Sequence, residues 1–314
     1  MSAYLINKIV SQDQTYEVDS RREKEIRAAL KRERDQRQNA LLEELRGGMT
    51  RQKLRMNDVA QMKGASAWLT ALPLKEEGFV LNKREFFDAL AFRYVWPLKR
   101  LPQNCACGRP FDMEHALTCM KGGYVIRRHD RIRDLLANIM KDIAPGVQKE
   151  PQLQPLTGER LPEGSNVEDG ARCDIVARDF WQLHEMAFVD IMVFNPIAKS
   201  RISQSLDTVF NQQERRKKKL YNARVIQIEH GSFTPLILSA LGGFGLETSR
   251  FMGKLFEKIA EKKDLEMSVV SNYVRTKISF ELVRSQVACV RGSRSLKALA
   301  VNVNDAELVH LKNT

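Results

Sequence analysis

Asp190 stands alone in Met186-Ala187-Phe188-Val189-Asp190-Ile191-Met192-Val193-Phe194, a run with no other polar side chain. Such a run reads as a β-strand covered on both faces, as in the core of an α/β domain. An ionised carboxylate there costs several kcal/mol unless it is paired, hydrogen-bonded or bound to a cation. A second strand-like segment just upstream, Arg172-Cys173-Asp174-Ile175-Val176-Ala177, carries another isolated acid, Asp174. Two short strands that each present one carboxylate suggest a site for a hard divalent cation such as Mg²⁺. Asp174 reads alternatively as a strand-end residue that caps a turn. Glu185 and Glu150 are possible additional acids.

A cation to work beside those acids comes from the next helix. Ile202, Leu206, Val209, Gln213, Lys217 and Leu220 recur at three- and four-residue steps, which puts Lys217 in phase with the stripe that packs on the sheet. Its neighbours Arg215, Arg216 and Lys218 suit contacts to phosphate. The same stretch also reads as a solvated basic face. His129 lies on the apolar stripe of an earlier helix and reads by itself as a core histidine.

A separate cluster, Cys105, Cys107, His115 and Cys119, gathers three of the chain's five cysteines and one of its five histidines into one short segment. Thiolate and imidazole are what tetrahedral Zn²⁺ takes, and four protein ligands make a closed, structural site. A segment this short cannot bury a core, so the metal would supply its folding energy. The Cys-x-Cys spacing is tighter than the usual two-residue spacer, and the alternative is a loop of free thiols.

The elements that must position these groups follow from pattern. The chain has 314 residues, 43% hydrophobic and 29% charged, with a formal net charge of +12. That excess favours phosphate-rich partners, nucleic acid first (DNA, possibly RNA) and an anionic membrane second. There is no apolar stretch of membrane-spanning length and no signal-peptide pattern. An intracellular, nuclear protein with reduced cysteines is expected. A basic helical arm over 1–60 contains a helix expected over 20–46, with Ser20 and Glu23 as capping box. A helical linker region covers 61–104, where Asn82 and Glu85 cap a helix expected to bury Phe86, Phe87, Leu90, Ala91 and Tyr94. The knuckle spans 105–121. Over 122–264 the order is an amphipathic helix (123–143, with Val125, Ile132, Leu136, Ile139 and Ile143 inward) and a strand near 147–153. A polar loop over 155–170, the two Asp-bearing strands, a helix over 202–222, a fourth strand over 224–229 and a helix over 248–262 follow. A helix over 267–290 and a tail make up 265–314. The fold class is mixed α/β, a small mixed sheet flanked by helices behind a knuckle and a helical N-terminal region.

Taken in order, the Cys-Cys-His-Cys knuckle, Arg128-His129-Asp130, Asp174, Asp190 and the basic helix resemble the restriction-enzyme-like endonuclease of site-specific non-LTR retrotransposons, over roughly residues 65–260. The resemblance implies a restriction-endonuclease-like domain. It implies Zn²⁺ on Cys105, Cys107, His115 and Cys119, and Mg²⁺ on Asp174 and Asp190. Lys217, four before Tyr221, would be a displaced catalytic lysine, since Met192 occupies the position where restriction-type nucleases commonly carry it. Arg128 and His129 match a motif expected to contact nucleic acid; Asp130 stands where that motif has Asn, and Cys173 where the family has Pro. No Tyr-x-Asp-Asp polymerase signature occurs, so a reverse transcriptase is expected in trans or in a parent polyprotein. Three functions are open: a Mg²⁺-dependent DNA nickase, a catalytically inactive zinc-containing binding module, and an interaction protein working through its long N-terminal helix.

Overall fold

The computed structural model describes residues 3–294, with side chains from residue 21 onward. Two units separate by their internal contacts, Met1–Thr50 and Arg51–Thr314. The first is one helix, α1 (Ala3–Gly47). It runs straight through Ser20, so the expected capping box does not form; no Gly or Pro interrupts the preceding residues. From residue 21 onward it has no fully buried side chain and carries ion pairs one turn apart, Arg27–Glu23 at 2.5 Å and Arg37–Glu33 at 2.6 Å.

The second unit begins with α2 (Arg51–Gln61), α3 (Ala67–Thr70) and α4 (Lys83–Tyr94). Asn82 and Glu85 form the expected capping box of α4, but the helix is rotated from its expected face. It buries Asp88, Ala89, Ala91 and Phe92, while Phe86, Phe87 and Tyr94 stay exposed. The cause is Asp88, fully buried and gripped by both arms of Arg291 at 2.5 and 2.7 Å. A bidentate charge pair of this kind sets the helix phase more strongly than a few half-buried rings.

The short α5 (Met113–Thr118) and the longer α6 (Tyr124–Lys141) lead into the sheet. Its strands are β1 (Gln148–Lys149), β2 (Ile175–Arg178), β3 (Met186–Phe194) and β4 (Ser232–Ser239), ordered β1-β2-β3-β4. The first three are antiparallel; β4 lies parallel to β3 and is reached through α7 (Leu206–Arg224). One face of the sheet, with Ile175, Ala187, Val189, Ile191, Leu236 and Leu238, packs in the main core with side chains from α6, α8 (Leu246–Lys263) and α9 (Met267–Arg291). The other face carries Phe188, Asp190, Met192 and Phe194 and lies toward α7, whose Val209 and Phe210 pack on Phe194 and Ile237. This double cover explains the apolar run of β3 on either side of Asp190.

The fourth strand is not where the sequence places it. Residues Val225–Glu229 continue α7 as a π-turn, and β4 begins at Ser232. Arg224 explains the override of their β-propensity. Fully buried, it donates to the carbonyls of Gln154, Asn166 and Glu168 at 2.8 to 3.0 Å, and only a helical backbone keeps it in that direction. β4 contains Pro235, which it can hold because, as an edge strand, it can spare an N–H on its open side.

The inward stripe of α6 is also shifted, running through Tyr124, Arg128, Ile132, Leu136 and Met140, with Val125 only half-buried. The last helix, α9, is no appendage: it packs on α3, α4, α5, α6 and α8 and joins the knuckle region to the sheet. Among the described residues no helix is long and apolar enough to cross a membrane. Phe251 tests this core most simply, being fully buried with its ring stacked on Phe180 at 4.5 Å. Phe251→Ala is expected to destabilise the chain by about 3–5 kcal/mol, read as a lower guanidinium midpoint at unchanged slope. A loss below about 1 kcal/mol would contradict this packing.

Candidate active site and metal centre

The cysteine cluster is built by a turn and a short helix. An isolated bridge between Asn104 and Pro110 and the bond from Cys105 N–H to Arg109 O, 2.8 Å, close the turn. Gly108, at φ +85°, supplies its left-handed residue. Asp112 then caps α5 by accepting from the His115 N–H at 2.7 Å, which fixes His115 in the first turn and Cys119 at the end. The four ligand atoms lie within 4.8 Å of one another. Cys105 Sγ and Cys119 Sγ are 3.7 Å apart, and Cys107 Sγ is 3.3 Å from His115 Nε2. The sulfur separation is close to the edge of a tetrahedron with Zn–S near 2.3 Å, roughly 3.8 Å, and far beyond a disulfide. A hydrogen bond from the Arg109 N–H pulls the Cys107 thiol below its ordinary range, while burial pushes that of Cys119 up. This Cys3His group can bind zinc.

The carboxylate site lies on β3 and at the entrance to β2. The register pairs Ile175 with Val189, and continuing it by one residue sets Asp174 across from Asp190. The ladder is irregular at that point. Asp174 N–H bonds Val189 O at 3.0 Å, and its Oδ2 accepts from Ile191 N–H at 2.5 Å. The same oxygen is 3.1 Å from His129 Nε2, which also lies 3.2 Å from Ile191 O. Both contacts fall on Oδ2, which leaves Oδ1 open. Asp174 is therefore more than a turn cap.

Asp190, with a side chain 7% exposed, meets Lys217 Nζ at 2.5 Å. The contact is a charge pair whose angles fall outside hydrogen-bond geometry, and Oδ2 has no other partner among the described residues. The helical phase of α7 thus brings Lys217 to the sheet as its spacing predicts, with its ammonium 5.7 Å from the centre of the Tyr221 ring. Burial pushes the Asp190 carboxyl up to about 6; Lys217 opposes this and the negative Asp174 adds to it. Burial pulls Lys217 down, but the adjacent Asp190 outweighs it and the ammonium is held above its ordinary value. His129 behaves in the same way, its desolvation overcome by Asp174 and Asp130.

The remaining candidates divide. Arg128, expected to face nucleic acid, is 2% exposed and donates to Leu117 O and Val193 O, both at 3.2 Å. It is a buried strut between the knuckle helix and β3. His129 joins the site through Asp174; its place on the apolar stripe points to a core histidine, and only the Arg128-His129-Asp130 triplet points to a functional role. Arg215 and Arg216 are exposed on α7, while Lys218 pairs with Glu247 at 3.1 Å. Glu150 is taken by Arg133, Glu185 lies in the turn before β3, and Met192 packs with Phe194 and Ile237. Among the described residues, the cysteine cluster alone brings three or more such ligands together around one point. Comparison with protein-family models and with curated proteins finds no match.

Two predictions follow from these geometries. Purified chain should carry about one zinc per molecule by atomic absorption, and Cys119→Ser should lose it with a fall in Tm; full zinc retention in the variant would exclude the ligand set. The second concerns pH. With its carboxyl raised from 3.8 to about 6, folded Asp190 holds its proton over a range where the unfolded chain releases it. Stability contributed by the neutral form therefore falls as pH rises through that window. Asp190→Asn, which mimics the neutral form, should abolish this fall and be at least as stable as the wild type at neutral pH. Lys217→Met should cost more in the wild type, where it leaves the Asp190 carboxylate without its cation, than in the Asp190→Asn background. Strict additivity of the two substitutions in denaturant titrations would show that the pair is not coupled.

Proposed function

We propose that this chain is a Mg²⁺-dependent DNA endonuclease, a nickase of restriction-endonuclease-like fold derived from a site-specific non-LTR retroelement. The observation that carries the reading is the 2.5 Å approach of Lys217 to Asp190 across a register that opposes Asp190 to Asp174. A lysine beside two strand acids is the constellation that metal-assisted phosphodiester hydrolysis needs. Its arrival from α7 accounts for Met192 at the strand position.

In this reading Asp174 and Asp190 are the residues that would hold the cation. Bound there, Mg²⁺ would neutralise charge on the phosphate and favour ionisation of a water. Lys217 orients that water and shields the growing charge on the phosphate oxygens. The water oxygen bonds to phosphorus and the bond to O3′ breaks, leaving a 5′-phosphate and a 3′-hydroxyl that takes up a proton. His129 positions Asp174. Arg215 and Arg216, beside Lys217 on α7, contact the flanking phosphates. In the resembled elements the freed 3′-hydroxyl primes reverse transcription; here the polymerase would act in trans or belong to a parent polyprotein.

A second reading is favoured by the same ion pairs. Lys217 and His129 already partner both acids, so the chain would also be stable as an inactive, zinc-containing nucleic-acid-binding module. Plasmid nicking decides between the two. The endonuclease converts supercoiled to open-circular DNA in Mg²⁺ and not in EDTA, and Asp174→Ala, Asp190→Ala and Lys217→Ala each slow it by about 100-fold or more. Undiminished nicking in Asp190→Ala would sink the assignment. Salt-sensitive DNA binding with no turnover in the wild type would select the inactive module.

A further inference from the structure

A cavity of about 320 Å³ opens beside the knuckle, between the start of α4 and the end of α9. Four of the residues that line it are arginines, Arg84, Arg100, Arg291 and Arg294, and none is acidic. Arg291 is neutralised by Asp88. Among the described residues the other three have no carboxylate partner.

Arg294 is the informative one. It is 9% exposed and its guanidinium lies 4.8 and 5.1 Å from the ring centres of Phe111 and Tyr124. Among the described residues its hydrogen-bond acceptors are the carbonyls of Ala116 and Cys289, and its Nε, also buried, has none. A guanidinium buried among rings and carbonyls, with no carboxylate partner among the described residues, is costly unless an anion completes it. Arg100 stands at the rim with φ +55°, a backbone conformation that disfavours side chains with a Cβ and that clusters where a ligand is met. Arg84, on the first turn of α4, is exposed at the same cavity.

We propose that this cavity binds a phosphate group of a nucleic-acid strand, with Arg84 and Arg100 as the movable clamp and Arg294 as the fixed floor. Planar guanidinium donors suit phosphate oxygens, and the aromatic backing of Arg294 holds one of them in place. The inference rests on nucleic acid being the partner; it is independent of cleavage at Asp190. Through Cys105 and Phe111 the knuckle forms one wall, so zinc would shape the cavity without touching the phosphate.

The full zinc-bound chain is compared with Arg84→Gln/Arg100→Gln and with Lys141→Gln/Lys262→Gln, which removes the same charge from exposed positions elsewhere. The first arm titrates inorganic phosphate against chloride of equal ionic strength. Phosphate should raise the Tm of the wild type and of the lysine variant, and this rise should vanish in the arginine variant. The second arm measures oligonucleotide affinity over a range of salt. The arginine variant should bind roughly tenfold more weakly, with a slope of log K against log salt reduced by about one, and the lysine variant should do neither. No rise with phosphate in the wild type overturns the site, whatever the oligonucleotide does. A rise that the arginine variant lacks, with unchanged oligonucleotide affinity and slope, overturns the nucleic-acid source and leaves free phosphate as the ligand. Equal losses in both variants reduce the effect to net charge and also overturn it. Phosphate binding without any nicking would leave this inference intact and remove the endonuclease reading alone.

Discussion

An acid in the middle of a doubly covered strand is the constraint around which the second unit is arranged. Asp190 is surrounded by apolar neighbours on its own strand and faces a helix packed on the sheet. Its charge is tolerated because that helix delivers an ammonium to it at 2.5 Å. To do so α7 must run at one fixed rotation, with Val209 and Phe210 packed on the sheet and Arg224 tied into the loop that precedes β2. The β3–α7–β4 crossover is therefore held at both ends by polar contacts as well as by its core. Loss of the ion pair would disturb the helix phase, and loss of the phase would strand the acid.

A second device of the same kind operates around Asp174. Its carboxylate substitutes for a main-chain acceptor by taking the Ile191 N–H, and His129 from the opposite layer closes on it. One oxygen thus bonds a strand and a helix at once, so the entrance to β2 is fixed relative to both. Asp88 with Arg291 and Arg128 with its two carbonyls repeat the pattern near the knuckle. Buried charge in this chain sits where elements from distant parts of the sequence must meet. The zinc-competent cluster is a local closure by comparison, made within a single short segment.

Much of this was legible from residue spacing, and what was not has a physical cause. The helical step from Val209 through Gln213 to Lys217 put the lysine on the sheet side, and the isolation of Asp190 marked it as buried and paired. The cysteine cluster was legible because its spacing is short and its residue types are rare. Tertiary contacts hid the rest. Arg128 has the type of a phosphate ligand, but two carbonyls out of sequence range claim it. Val225–Glu229 have the composition of a strand, yet Arg224 keeps the backbone helical; Pro235 conceals a real strand because edge position cannot be read from one segment. Phe86 and Phe87 looked inward until Asp88, a charged residue, took the buried side of α4. His129 was legible as an inward residue and not as a partner of Asp174, because that contact spans two layers.

The central claim is that Asp190 is a buried acid held by a neighbouring cation and available to a second one. Its carboxyl carbon, followed by NMR in chain labelled at aspartate and assigned with Asp190→Asn, measures this directly. Titration without metal should give a midpoint near the value of about 6 set by burial against Lys217. Titration in Mg²⁺ should move that midpoint down by about a unit or more, since a bound divalent cation favours the ionised form. A metal-free midpoint at the ordinary 3.8 would mean a solvated carboxylate and would contradict the account.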